Sequence, residues 1–205
     1  MTYTYDDFLW FVEAYPWVEN ALCVTYVSDA SPDQVIDAMA PERLRTVTGL
    51  AAVNEQGWEH FGIVGAAQLS TWTVAIAPSS TVGVNSDVMV PLSQGRQVVS
   101  LFQNINAVSQ FAVWRDGSTE TSFDPLLRDS FTTDPLAGDW PSLMRQAGLD
   151  PDPEQDGRRP DGKFHILDGM FAMAANYTGL PMTADFFADG EFICGNTGTL
   201  RLHGH

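Results

Sequence analysis

Phe8, Phe11, Val12 and Tyr15 recur at i, i+3, i+4 and i+7, the spacing of one buried face of an α-helix. Asp6 is placed to cap this helix and Pro16 to end it. Trp10 lies off the stripe, and with Asp6 as N-cap it pairs with Tyr5 as a hydrophobic staple. Residues 21–27, rich in β-branched and aromatic side chains, read as a buried strand. Ser31-Pro32-Asp33-Gln34 then joins a capping Ser, a Pro at the first helical position and a Gln at the third. A helix opens there, with Val35, Ile36 and Met39 inward and Pro41 beyond its end. Residues 42–57 have weak periodicity and are expected as loop with room for a helix.

From residue 61 the period becomes two. Residues 61–64 and 71–77 read as a hairpin of strands, the second alternating Trp72, Val74 and Ile76 with Thr71, Thr73 and Ala75. A short helix is expected over 85–93 and a strand over 97–102. Residues 107–115 and 118–123 flank Asp116-Gly117, a pair suited to the positive φ angles of a type I′ hairpin turn. Beyond Asp124-Pro125 the pattern predicts a short helix over 140–146, a mobile acidic Pro/Gly loop over 149–162 and a helix over 163–177. Phe164, Leu167, Phe171 and Ala174 form the inner face of that helix and Gly179 closes it, while Thr183 caps a last short helix through Phe187. Residues 195–205 carry no strong pattern. The sum is one α+β domain over 1–205, an antiparallel meander of about five or six strands packed on one face by N- and C-terminal helices.

Charge changes the picture. The net charge is -16, but acidic residues outnumber basic ones by 10 to 2 in residues 1–60, 3 to 2 in 61–123 and 13 to 6 in 124–205. A near-neutral sheet is thus clothed in acidic helices and loops. With Lys163 the sole lysine, the chain lacks the clustered cations that neutralise phosphate, which argues against nucleic acid and against an anionic membrane. No apolar run approaches the roughly 20 residues of a membrane span, and residues 1–7 hold no basic signal region, so a cytoplasmic setting is expected. Cys23 and Cys194 fit no metal-ligand spacing and read as buried thiols.

Nucleotide, zinc-hydrolase, serine-hydrolase and calcium motifs are all missing, so no catalytic residue, metal or cofactor is assigned. His165 stands three residues before Asp168, a spacing that lets imidazole and carboxylate meet on a helix, as general bases require and as ordinary surface pairs also do. His60 adjoins the first strand of the sheet without an evident partner, and His203 and His205 sit at the end of the chain. Asp29, Asp33 and Asp37 form the one patterned acidic element. Like charges at i,i+4 cost roughly 0.2–0.5 kcal/mol, so the stripe suits either a basic partner or a solvated helix face.

Several segments together resemble a family of actinobacterial proteins of unknown function. They are Ala21 to Val27 with Ser31-Pro32-Asp33, Trp72 to Ile76, Leu92-Ser93, Val98 to Asn104, Phe111 to Gly117, Ser122 to Leu126, Ala147 to Asp150, and Thr178 to Thr183. Ala77 departs from that pattern, where an acidic residue is expected. The resemblance implies an intracellular bacterial protein and no particular reaction. In style, a small acidic α+β protein with a Trp-Thr-Val strand is also similar to immunity proteins that neutralise toxins. The leading expectation is therefore a non-enzymatic protein-binding module whose acidic surface, with Asp29, Asp33 and Asp37, meets a basic partner such as a toxin. The alternatives are an enzyme or small-ligand protein with a pocket between the sheet and its loops, and a subunit that self-associates through an apolar face.

Overall fold

In the computed structural model, residues 1–127, 129–130, 139–152 and 156–198 are described. A 3-10 turn over Tyr5–Phe8 leads into α1 (Leu9–Ala14), and a second, Pro16–Glu19, delivers the chain to β1 (Ala21–Ser28). There follow α2 (Pro32–Met39), β2 (Glu42–Arg43), β3 (Val47–Thr48), α3 (Leu50–Gln56), β4 (Ile63–Leu69) and β5 (Trp72–Pro78). After a turn at Val82–Val84 come α4 (Ser86–Leu92), β6 (Gln97–Asn104), β7 (Ser109–Arg115), β8 (Ser118–Asp124) and β9 (Asp129–Ser130). The last elements are α5 (Trp140–Gln146), α6 (Ile166–Thr178), α7 (Ala184–Asp189) and β10 (Glu191–Asn196).

The α+β class holds, with a larger sheet than the pattern predicts. Nine strands run in the order β2-β10-β4-β5-β1-β6-β7-β8-β9, all pairs antiparallel, and β3 joins β10. The additions are β2, β3 and β9, each too short at two residues to show a period, and β10 near the end of the chain. β1 is inserted centrally between β5 and β6, so the sheet is a hairpin and a meander stitched together by the first strand.

Helices cover both faces, a second correction. Leu22, Val24 and Tyr26 of β1 enter a core with Phe8, Phe11, Met170, Phe171 and Phe187; Cys23 and Val27 enter another with Val35, Ile36 and Met89. A strand buried on both sides carries a nearly continuous apolar run, which residues 21–27 do. Burying side chains as large as Phe171 or Met170 contributes roughly 1.5–3 kcal/mol each.

Local signals are mostly realised. Ser31 and Gln34 close a reciprocal capping box at 3.3 and 2.9 Å, and Asp116 and Gly117 take φ angles of 50° and 77° in the hairpin turn. The first helical segment differs from expectation, since Thr4 rather than Asp6 precedes it and Asp7 Oδ2 accepts the Thr4 N–H at 2.8 Å. Tyr5 is therefore its first residue and the staple with Trp10 lacks its register; Trp10 packs on Phe11 and Phe187. α6 starts at Ile166, three residues late, because His165 adopts a left-handed conformation. Of the loop expected over 149–162, residues 153–155 lie outside the described residues, and the rest forms no helix or strand. No helix among the described residues is long and apolar enough to cross a membrane.

Candidate functional site

α6 is buried along one turn after another, from Ile166 to Ala175, so its position is set by packing on all sides. The amino terminus is tied to it: the Asn176 side chain accepts the Tyr3 N–H at 2.7 Å and donates to the Tyr3 carbonyl at 2.8 Å. The start of the helix is where chemistry collects. His165 has φ 49° and ψ 40°, a conformation that costs an ordinary side chain roughly 1–2 kcal/mol. Its surroundings hold it there. Nδ1 lies 3.0 Å from Asp168 Oδ2, Nε2 lies 2.7 Å from Asp161 Oδ2, and the ring stacks on Tyr5 at 4.9 Å and 12°. The Arg159 guanidinium lies over the Tyr5 ring at 5.6 Å.

These contacts set protonation. Burial is the largest single influence on His165 and opposes its charge, but hydrogen bonds and attraction from Asp168 and Asp161 outweigh it and raise the imidazole above 6.5. Asp168 moves the other way for a carboxylate: burial raises it, and the bond from His165 only partly offsets that. Asp161, at the surface, is lowered by the Lys163 backbone N–H and by His165. His165 is legible as a partner of Asp168, but the pair lies at a helix start, with Asp168 buried and His165 half-buried, rather than ranged along an exposed helix face.

Beside this pair opens a cleft of about 410 Å3. Leu9, Val12 and Phe164 supply apolar wall; Glu13, Glu19, Asp161 and Asp168 bring carboxylates against Lys163 and His165. Gln103, at the end of β6, lines it from the sheet. The loop after β8 is fixed by Asp124, fully buried, whose carboxylate accepts from Ser109 Oγ and from the backbone N–H groups of Leu126 (2.8 Å) and Leu127 (3.0 Å). Leu126 completes the wall. Two acceptors in this wall are buried and have no hydrogen-bond partner among the described residues: Asp168 Oδ1 and Gln103 Oε1. Asp168 as a whole is 6% exposed. Buried polar groups are normally paired, which sets these two atoms apart from most of the interior.

The acidic stripe is arranged differently. Asp29 precedes the helix, at φ 49°, while Asp33 and Asp37 both pair with Arg43, Asp33 at 2.9 Å, so an internal cation already answers them. His60 lies in a separate recess of about 280 Å3 with Trp58, Phe61 and Asn20. His203 and His205 lie outside the described residues. Cys23 and Cys194 are free and buried, and no group of three His, Cys, Asp or Glu among the described residues is placed to hold a metal ion. Gln103, Glu13 and Glu19 were not singled out by the sequence pattern. Their meeting depends on the pairing of β6 with β1 and on the turn before β1, neither of which leaves a local signature.

No curated protein and no solved structure matches the chain. Residues 1–200 match the model of DUF6461, described as a family of unknown function, and the chain belongs to that family.

Proposed function

We propose that this protein is a non-enzymatic binding module whose recognition site is the cleft at the start of α6, and that the cleft takes a cationic group rich in hydrogen-bond donors. The observation that carries the reading is the cleft lining, where Glu13, Glu19, Asp161 and Asp168 meet one lysine and one histidine, and where Asp168 Oδ1 and Gln103 Oε1 are buried within the lining residues without a partner among the described residues. A buried acceptor left unsatisfied costs about 1–3 kcal/mol, and more when charged, which a donor in the cleft recovers once the side chain turns to meet it. The sign of the ligand follows from four carboxylates facing one lysine and one histidine.

A second reading, catalysis, has one observation in its favour: the Asp168–His165 pair inside a cleft. Both ring nitrogens of His165 are engaged by carboxylates, so Asp161 must leave Nε2 before the ring can act as a base. The family resemblance and the two unpaired cysteines support an actinobacterial cytoplasm as the setting. An immunity protein against a basic toxin is the form of this module that the acidic composition favours. The cleft reading stands without it.

Isothermal titration with N-acetyl-arginine amide tests the cleft. At about 0.3 kcal/mol per non-hydrogen atom, saturable binding is expected with Kd on the order of 1 mM or below. The neutral urea analogue, N-acetyl-citrulline amide, should bind at least about tenfold more weakly, since it forms no charge-assisted bonds. Equal binding of the two, or no saturation by either, contradicts the reading.

A further inference from the structure

We propose that the occupant of the cleft is an arginine side chain presented by a protein partner, with apolar residues flanking that arginine. The inference rests on the cationic reading of the cleft and adds where the cation comes from. Apart from the terminal Met1, the large hydrophobic side chains most open to solvent among the described residues are Trp58, Phe61, Ile105, Val108 and Leu127. All five occupy one end of the sheet. Trp58 and Phe61 come just before β4; Ile105 and Val108 belong to the turn after β6; Leu127 follows β8. The antiparallel order brings the starts of β1, β4 and β7 and the ends of β5, β6 and β8 to that same end.

The cleft lies at this end too, since Glu19, Gln103, Ala107 and Leu126 line it. Val108 and Leu127, the chain neighbours of Ala107 and Leu126, are exposed and form the near part of an apolar rim in this proposal. On the other side Glu19 lines the cleft while the next residue, Asn20, lines the recess that holds Trp58 and Phe61. The Asn20 carbonyl accepts the Ile105 N–H at 2.9 Å, which joins the two halves of the rim. An acidic centre is thus bordered by exposed apolar side chains.

A protein surface supplies the matching arrangement, a cation set among apolar neighbours, and large apolar side chains exposed together at one end of a fold mark such contacts. A free cationic metabolite leaves the rim unused. Arginine fits the centre better than lysine, because its planar guanidinium carries five donors and no acceptor, and its stem can lie along Leu9, Val12 and Phe164. The net charge of -16 favours encounter with a basic partner and repels an acidic one.

Two defined probes test the inference by isothermal titration: N-acetyl-arginine amide, which reaches the cleft alone, and N-acetyl-Leu-Arg-Leu amide, which also reaches the rim. The tripeptide should bind the native protein at least about tenfold more tightly. In the double variant Ile105→Ser, Leu127→Ser that gain should fall below about threefold, with the affinity for N-acetyl-arginine amide unchanged. Both side chains are mostly exposed, so the variant is expected to fold, and an unchanged thermal melt confirms it. A native protein that binds the two probes alike overturns the protein-partner inference and leaves the cleft reading intact. A gain that survives the double variant also overturns it. Failure of both probes to bind the native protein removes the cleft reading and this inference together.

Discussion

Replacing Asp168 with Asn reverses the polarity of the cleft at constant shape. In the native protein burial works against this carboxylate, and His165 compensates only in part. In the variant the amide oxygen keeps the bond to His165 Nδ1, now 3.0 Å long, and the amide nitrogen takes the place of the unpartnered Oδ1. A donor then faces the donors of the ligand. The loss is one hydrogen bond to a charged group, about 1.5–3 kcal/mol, which at about 1.4 kcal/mol per tenfold weakens Kd by roughly 10- to 150-fold. Stability moves in the opposite direction, because removing a charge that the folded state disfavours leaves the Tm at pH 8 unchanged or higher. Titration with N-acetyl-arginine amide and thermal unfolding of the same samples read both effects. Binding within about threefold of the native protein refutes the role of Oδ1. Loss of binding together with a lowered Tm shows that Asp168 is needed for the fold.

The remaining predictions concern protonation and packing. His165 has a raised pKa in the folded state, so its contribution to stability is complete below pH 6.5 and is lost as pH rises through the folded value. Urea unfolding should show stability falling above pH 6.5, and His165→Asn, which tolerates the left-handed backbone, should flatten that fall; an unchanged slope contradicts the assignment. Burial pushes the Cys23 thiol up to about 12 and that of Cys194 up to about 11, so both should react with a thiol reagent at pH 8 far more slowly in the native protein than in urea. Equal rates contradict their burial. The Tyr26 hydroxyl is buried without a partner among the described residues, and Tyr26→Phe should raise stability to urea by about 1 kcal/mol without altering ligand affinity. A lowered urea midpoint shows that the hydroxyl has a role. Ser31→Ala removes the cap of α2 and should cost about 1 kcal/mol by the same assay, and no loss contradicts the capping box.

The elements with short-range signatures were readable from the chain. The capping box at Ser31, the Asp116-Gly117 turn and the Gly179 stop each rest on a local backbone requirement that residue type alone expresses. β10 and the two-residue strands were not readable, because their pairing energy comes from partners far away in sequence, as where Cys194 pairs with Gly65. The single-face packing expected for the sheet missed what the unbroken apolar run of β1 implies, that both sides are buried. At the site, His165 and Asp168 showed themselves through spacing. Gln103, Glu13 and Glu19 reach the cleft through tertiary structure alone. The uneven acidity was visible at once, but the Arg43 pairs with Asp33 and Asp37 join residues whose contact depends on the chain path after α2.

Amide chemical shifts in a 15N-labelled sample map directly where N-acetyl-arginine amide binds. Saturable shifts are expected at residues 165–169, at Glu19 and at the Gln103 side-chain amide, with none at Asp33 or Asp37. Shifts confined to residues 29–43, or no saturation at the cleft, contradict recognition of a cation at the start of α6.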